Sequence, residues 1–341
     1  MGPRSSMRKG RRPVTTADVA RKAGVSRTLV SFVLNGRSDV GSATRERILA
    51  VIAELGYKPN RQARLLVRQK VGVVGLLLDI RTDTDLLVLH FVSALGERLA
   101  ESAYGLLLAR PDRQDPLAPI IRAVDEQLVD GLVLMDVQRQ DPRADWLQAA
   151  EFPYVLYPGN DPSRPFDVHA DYEGGAKQVV EHLYRGGHRR VALLTGPDPY
   201  VYVYRREQGF RRAAAECGLV VDDRFVFRGA VSEAFGWEVG RSLGAMPDRP
   251  SALFATADNL AVGAVRGLLE CGIHVPGEVA VIGFGDSPMA QGLRPTLTTV
   301  SIPVFELGRA AADQILAQIE GKGINAGPYI APATLVVRES G

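Results

Sequence analysis

The chain has 341 residues, 46% of them hydrophobic and 23% charged, which is ordinary material for two or three globular domains. No run of about 18 apolar residues is present to cross a bilayer, and the basic start MGPRSSMRKGRRP lacks the apolar core of a secretory signal, so the expected location is cytoplasmic. The net charge of +2 hides an asymmetry: residues 1–70 carry 16 Lys and Arg against 4 Asp and Glu, a net of +12, whereas the remainder carries 25 against 35, a net of −10.

A basic head on an acidic body points to a polyanionic partner for the head, because Lys and Arg placed beside phosphates release condensed counterions. Residues 1–13 read as a disordered basic leader. The next segment, VTTADVARKAGVSRTLVSFVLNG (14–36), has the spacing of two short helices. Thr15 or Thr16 caps the first, Asp18 suits its first turn, and Val19, Ala20 and Ala23 give it an apolar face. Gly24 permits a tight turn, and Ser26 caps a second helix through Leu29, Val30, Val33 and Leu34, stopped by Asn35-Gly36. Two short helices about a glycine turn form a helix-turn-helix, whose second helix lies in the major groove of DNA. SATRERILAVIAELGY supplies a third helix, with Ile48, Ile52 and Leu55 on one face and Gly56 at its end. Pro59 then interrupts, and Asn60 to Val67 is a short, arginine-rich, helix-prone segment too brief to be stable alone.

From residue 71 onward, apolar runs alternate with amphipathic stretches. VGVVGLLLD, YGLLLAR, DGLVLMD and PYVLYP read as buried strands, as do RVALLTG, SALFAT and VAVIGFG after a break at 158–170. Repeated β-α units imply parallel sheets covered by helices, and two successions imply two doubly wound lobes with a ligand cleft at the carboxyl ends of their strands. The stretch PDPYVYVYRREQ alternates tyrosine and valine like a half-buried strand. Because it follows RVALLTG and precedes the helical GFRRAAAEC, it is placed instead in a loop and the first turn of a helix. No enzyme motif is present: there is no G-x-S-x-G, H-E-x-x-H, P-loop or G-x-G-x-x-G after a strand. The five histidines are scattered, and Cys217 and Cys271 form no ligand set. No cofactor, metal or catalysis is expected.

DVARKAGVS, VSFVLNG, TRERILAVIAELGYKPN and ARLL resemble the lactose-repressor and purine-repressor family of bacterial transcription regulators, and the likeness runs through nearly the whole chain from Val14. The resemblance implies an all-α helix-turn-helix headpiece at 14–59 and a hinge helix at 60–70. It also implies an α/β body of periplasmic-binding-protein type at 71–341, with one lobe at about 71–165 plus 299–325 and the other at about 166–298 plus 326–341. The chain would recross between lobes near 291–299 and 325–330.

By the same resemblance Arg27 and Thr28, just after the Ser26 cap, read bases, while Thr15, Thr16, Ser31 and Asn35 contact phosphates. Arg27 suits guanine O6 and N7, with a phosphate contact as the other reading. Phe32 stands where many members carry arginine; it either meets a thymine methyl group or belongs to the head's own core. Leu66 would wedge into the minor groove with Asn60, Arg61 and Ala63 beside it, unless the segment is a plain linker.

In the body, Arg206 matches the family's cleft arginine in R-x-x-G-F, and Tyr200 and Tyr202 can offer aromatic faces to a sugar ring or base. Asp258, Asp286 and Asp79 are the further effector candidates. Ala257 and Gly285 replace polar residues common in the family, which suggests a bulkier or more aromatic effector, or an altered sugar pose. The implied function is a homodimeric regulator, a repressor, on a near-palindromic double-stranded operator and under small-molecule control. The alternative is a DNA-binding regulator with no effector. No heptad tail follows TLVVRESG, so a dimer is expected rather than a tetramer.

Overall fold

The computed structural model describes residues 14–34, 40–57, 70–79, 86–112, 114–159, 166–321 and 327–341. The chain divides into two compact units, residues 1–70 and 71–341.

In the first unit, α1 (Thr16–Ala23), α2 (Arg27–Leu34) and α3 (Ser42–Leu55) surround a small core of Val19, Ala20, Ala23, Val30, Val33, Ile48 and Val51. Thr15 is the cap of α1 and forms a reciprocal capping box with Asp18. Its backbone N–H donates to Asp18 Oδ2 at 3.0 Å, and its hydroxyl donates to the same oxygen at 2.7 Å. Gly24 ends α1 at φ +66°, a left-handed conformation that a Cβ would penalise, and so turns the chain into α2. The Ser26 hydroxyl accepts from the Leu29 N–H at 3.1 Å at the start of α2.

The body contains two parallel sheets. In the first lobe, β1 (Val73–Leu77), β2 (Gly105–Ala109), β3 (Gly131–Leu134) and β4 (Tyr154–Leu156) are ordered β2-β1-β3-β4. Their covering helices are α4 (Leu86–Glu101), α5 (Ala118–Asp125) and α6 (Pro142–Ala149). After β5 (Val168–Ala170) and α7 (Tyr172–Arg185), the second lobe continues with β6 (Val191–Thr195), α8 (Val201–Cys217), β7 (Val226–Arg228), α9 (Glu233–Gly244) and β8 (Ala252–Ala255). It is completed by α10 (Asp258–Glu270), β9 (Ala280–Gly285), α11 (Pro288–Gly292) and β10 (Thr298–Ser301). α12 (Val304–Ile319) returns to pack on α4 and on β3 and β4 of the first lobe. β11 (Tyr329–Ala331) pairs with β5, and β12 (Thr334–Val336) closes a six-stranded sheet ordered β12-β10-β9-β8-β6-β7, antiparallel only at β12.

β10 pairs with β9 and β12, so 298–301 belong to the second lobe and the chain returns to the first only beyond Ser301, later than the 291–299 expected from the sequence. The largest apolar cluster runs through both lobes, joining Val74, Leu95 and Val133 to Val179, Leu193 and Phe254. Where the chain enters the body, the Asp130 carboxylate accepts the N–H groups of Val71 at 2.9 Å and Gly72 at 2.5 Å, and the Asp130 N–H donates to the Val73 carbonyl.

Candidate functional site

In the head, Val30 and Val33 turn one side of α2 into the core and leave Arg27, Thr28 and Ser31 exposed on the other. A helix that buries two valines in a nine-residue core and presents arginine, threonine and serine outward can lay hydrogen-bonding groups against base edges and phosphates. Ser26 is exposed at the head of this row, and Thr15 and Thr16 are half-buried at the start of α1. Phe32 is half-buried and packs against the head's core, which takes its ring out of the exposed row. Asn35, Asn60, Arg61, Ala63 and Leu66 lie outside the described residues.

In the body, a cavity of about 590 Å³ opens at the carboxyl ends of the strands, between the lobes, within the range of small-molecule sites. Leu78, Asp79, Leu87, Met135 and Asp136 line it from the first lobe, and Tyr172, Tyr200, Tyr202, Arg206, Asn259 and Phe284 from the second. Arg206 is its chemical centre. In the second turn of α8 and only 7% exposed, it donates from Nη1 to the Thr256 carbonyl at 2.6 Å. Its guanidinium carbon sits 4.1 Å from the Phe284 ring centroid, 4.9 Å from that of Tyr172 and 5.1 Å from that of Tyr202. Such faces stabilise a cation through their quadrupoles. No carboxylate among the described residues forms an ion pair with Arg206, and its Nε has no acceptor among them.

Around it, burial raises the pKa values of the Tyr172 and Tyr202 hydroxyls, in Tyr202 reinforced by the nearby Asp136 carboxylate, so both remain neutral donors. The rings of Tyr200 and Tyr202 stack at 6.0 Å. Aromatic faces beside a buried cation and carboxylates suit a ligand that is ring-shaped and rich in hydroxyl groups.

Two of the expected effector residues are not part of this lining. Asp258 is fully buried; its Oδ2 accepts from the Ser287 N–H at 2.6 Å and its Oδ1 from the Thr299 hydroxyl at 2.5 Å, so it ties the start of α10 to the ends of β9 and β10. Asp286 accepts from Arg338 Nη2 at 2.6 Å and is held toward the carboxyl end of the chain. Both carboxylates thus take internal donors, and neither residue lines this cavity, where the sequence had placed them. Asp79, Tyr200, Tyr202 and Arg206 do come together around the cavity. The glycine at 285 is also explained: it sits at φ +137°, and a Cβ there would meet Leu87 Cδ1 at 2.8 Å. Leu87 thus fills space that a side chain at 285 would need.

Sequence reasoning missed Asp136, Asn259, Tyr157, Tyr172 and Phe284. Asp136 was within reach, since it ends DGLVLMD at the carboxyl end of a strand, where such folds bind ligands. The aromatic residues carried no signal apart from their share of the core.

Comparison with known proteins decides the family. Residues 15–60 match the model for bacterial regulatory proteins of the lacI family, and residues 180–341 match a periplasmic binding protein-like domain. The HTH-type transcriptional regulator CelR of Thermobifida fusca is 34% identical over 98% of this chain and 100% of its own length. The chain belongs to the LacI family of bacterial transcription regulators. Catabolite control protein A of Priestia megaterium, a second LacI-family relative, is 28% identical over 96% of this chain and 99% of its own. Among solved structures, a CelR–cellobiose complex matches with a TM-score of 0.73 at 32% identity, covering 97% of this chain and 100% of that one. A Lac repressor dimer bound to operator and an anti-inducer matches with a TM-score of 0.74 at 26% identity, covering 96% and 99%. The LacI-type helical head and α/β body seen here agree with both.

Proposed function

We propose that this LacI-family regulator acts in the cytoplasm as a homodimeric repressor that reads a near-palindromic operator through α2 and answers to a carbohydrate of about two sugar rings held in the interlobe cleft. The observation that carries the effector reading is Arg206, a buried guanidinium without a carboxylate partner among the described residues, set against three aromatic rings in a 590 Å³ cavity. A monosaccharide would leave much of that volume to water; a disaccharide would stack one ring on tyrosine and hydrogen-bond the other. The relative whose solved complex holds cellobiose supports the size. Arg27, Thr28 and Ser31 read or position DNA, with Thr15, Thr16 and Ser26 at the helix starts; Asn35 and a minor-groove segment with Asn60, Arg61, Ala63 and Leu66 complete the footprint.

Dimerisation is supported by a row of exposed apolar residues on the first lobe: Leu86 and Leu89 of α4, Leu107 and Leu108 of the edge strand β2, and Phe305 of α12. An unpaired edge strand bearing leucines invites a partner, and two heads then match the two-fold symmetry of an operator. The body binds and signals, without catalysis. Among the described residues no helix is long and apolar enough to cross a membrane, and no three His, Cys, Asp or Glu gather to hold a metal.

A regulator with no effector is the second reading, favoured by the internal engagement of Asp258 and Asp286. One experiment separates the two. Operator fragments selected from a random duplex library are titrated with the full chain, with and without cellobiose and glucose. A two-fold symmetric site whose occupancy changes with cellobiose, and far less with glucose, supports the proposal; a symmetric site indifferent to both and to other disaccharides supports the second reading.

A further inference from the structure

We infer that residues 137–139 and 198–204 form a latch between the two lobes, with Val201 as its plug and Arg139 as its clasp. The stretch PYVYVY has the alternation of a strand, yet from Val201 onward it is helix.

Its first helical side chain does not pack on its own lobe. Val201, 3% exposed, lies in the apolar cluster of the first lobe with Leu77, Leu134, Val137, Leu147 and Leu156. Backbone bonds fasten it there: the Val201 N–H donates to the Val137 carbonyl at 3.0 Å, and the Arg139 N–H donates to the Pro199 carbonyl at 2.9 Å. Gln138 and Tyr200 face each other as an isolated antiparallel bridge. Outside this short ladder, Arg139 Nη2 reaches Asp198 Oδ2 at 3.0 Å, and its guanidinium carbon lies 4.6 Å from the Tyr204 ring centroid.

The energies are unequal. Arg139 and Asp198 are exposed, so their ion pair is a weak contribution, whereas withdrawing Val201 strips a buried side chain from a packed core. The plug holds the latch, and the exposed clasp adds little to it. Tyr200 and Tyr202 flank Val201 and line the cavity. The lobes therefore cannot part along this edge without withdrawing Val201, and the two rings beside it then move away from the first-lobe wall of the cavity, which couples lobe closure to the shape of the cleft.

The loop on the other side is equally braced. Arg143, buried with Asp141, donates from Nη2 to the carbonyls of Met135 and Asp136, so the strand end that meets the latch is held rigid.

Hydrogen exchange on the full chain tests this, read at the Arg139 and Val201 amides, whose protons make the two latch bonds. Val201→Ala is expected to speed exchange at Arg139 by tenfold or more. Arg139→Ala or Asp198→Ala should speed it a few-fold, and the charge swap Arg139→Asp with Asp198→Arg should recover most of that loss. Throughout, protection in β1, β6 and the head should stay as in the parent. Unchanged exchange at Arg139 in Val201→Ala, failure of the swap to recover what the single variants lose, or loss of protection spread evenly over the body would each overturn the latch. No effector or operator is needed, so the result stands apart from the proposed function.

Discussion

The head and the cleft place their functional side chains in opposite ways. In the head they point outward: Arg27, Thr28 and Ser31 are exposed, while Val30 and Val33 do the folding from the other side of the same helix. In the cleft they point inward, and Arg206 is enclosed by the same rings that make up the core around it. The candidate recognition residues of the head can therefore change at little cost to folding, whereas those of the cleft also take part in the packing of the body.

The largest expected effect breaks the head from within. Ile48 is fully buried in a core with few other members, so Ile48→Ala should cost about 2–5 kcal/mol, most of what so small a core supplies. Calorimetry should show the head's transition lost and the body's retained, with operator binding abolished; one undivided transition at the parent temperature would show that the two units do not melt separately.

Arg206→Met sharpens the contrast. It keeps the stem but removes a buried charge that has no carboxylate partner among the described residues, so binding of the disaccharide should weaken roughly tenfold to a hundredfold. The stability of the body should meanwhile change by no more than about 1 kcal/mol, because relief of a buried charge is offset by the lost bond to the Thr256 carbonyl and the lost ring contacts. Equal losses of stability and binding would mean that the arginine is structural.

The smallest effect is acid-dependent and belongs to the body alone. His169 lies on β5, and burial first, then the charge of Arg205, holds its pKa down to about 4, against a partial opposing pull from Asp171. The folded form thus binds fewer protons than the unfolded form. Stability is complete above about pH 6.5 and declines as pH falls toward 4, by at most about 1.4 kcal/mol per unit. His169→Leu should flatten this stretch of a pH-dependent denaturation series; an unchanged slope would assign the acid sensitivity to other groups.

The sequence showed the head nearly completely, because Thr15, Gly24 and Ser26 are capping and turning residues whose chemistry is local. It also showed the seven longer apolar runs that form strands in the body. β5, β7, β10, β11 and β12 went unread: unlike the equally short β3, β4 and β8 they do not lie in longer apolar runs, and VHA, VFR and the mostly polar TTVS carry polar residues within the strand itself. The helical start at Val201 was nearly missed for the opposite reason, an alternation strong enough to imitate a strand. In the cleft, Arg206 and the tyrosines were legible from R-x-x-G-F and the strand end before it. Asp258 and Asp286 lie near the strand end at 285 but outside the cavity lining, because the direction of each carboxylate is decided by Thr299, Ser287 and Arg338, partners distant in the chain from the carboxylate they hold.

Asp130 gives the body a mechanical character. It grips the backbone at Val71 and Gly72, next to the starts of β1 and β3, and those strands run side by side to end at the cleft near Asp79 and Asp136. At about 3.3 Å per residue they are two stiff struts spanning the lobe. A ligand that displaced the ends of the two struts unequally would load the junction beside Val71 and Gly72, where Asp130 holds the incoming chain.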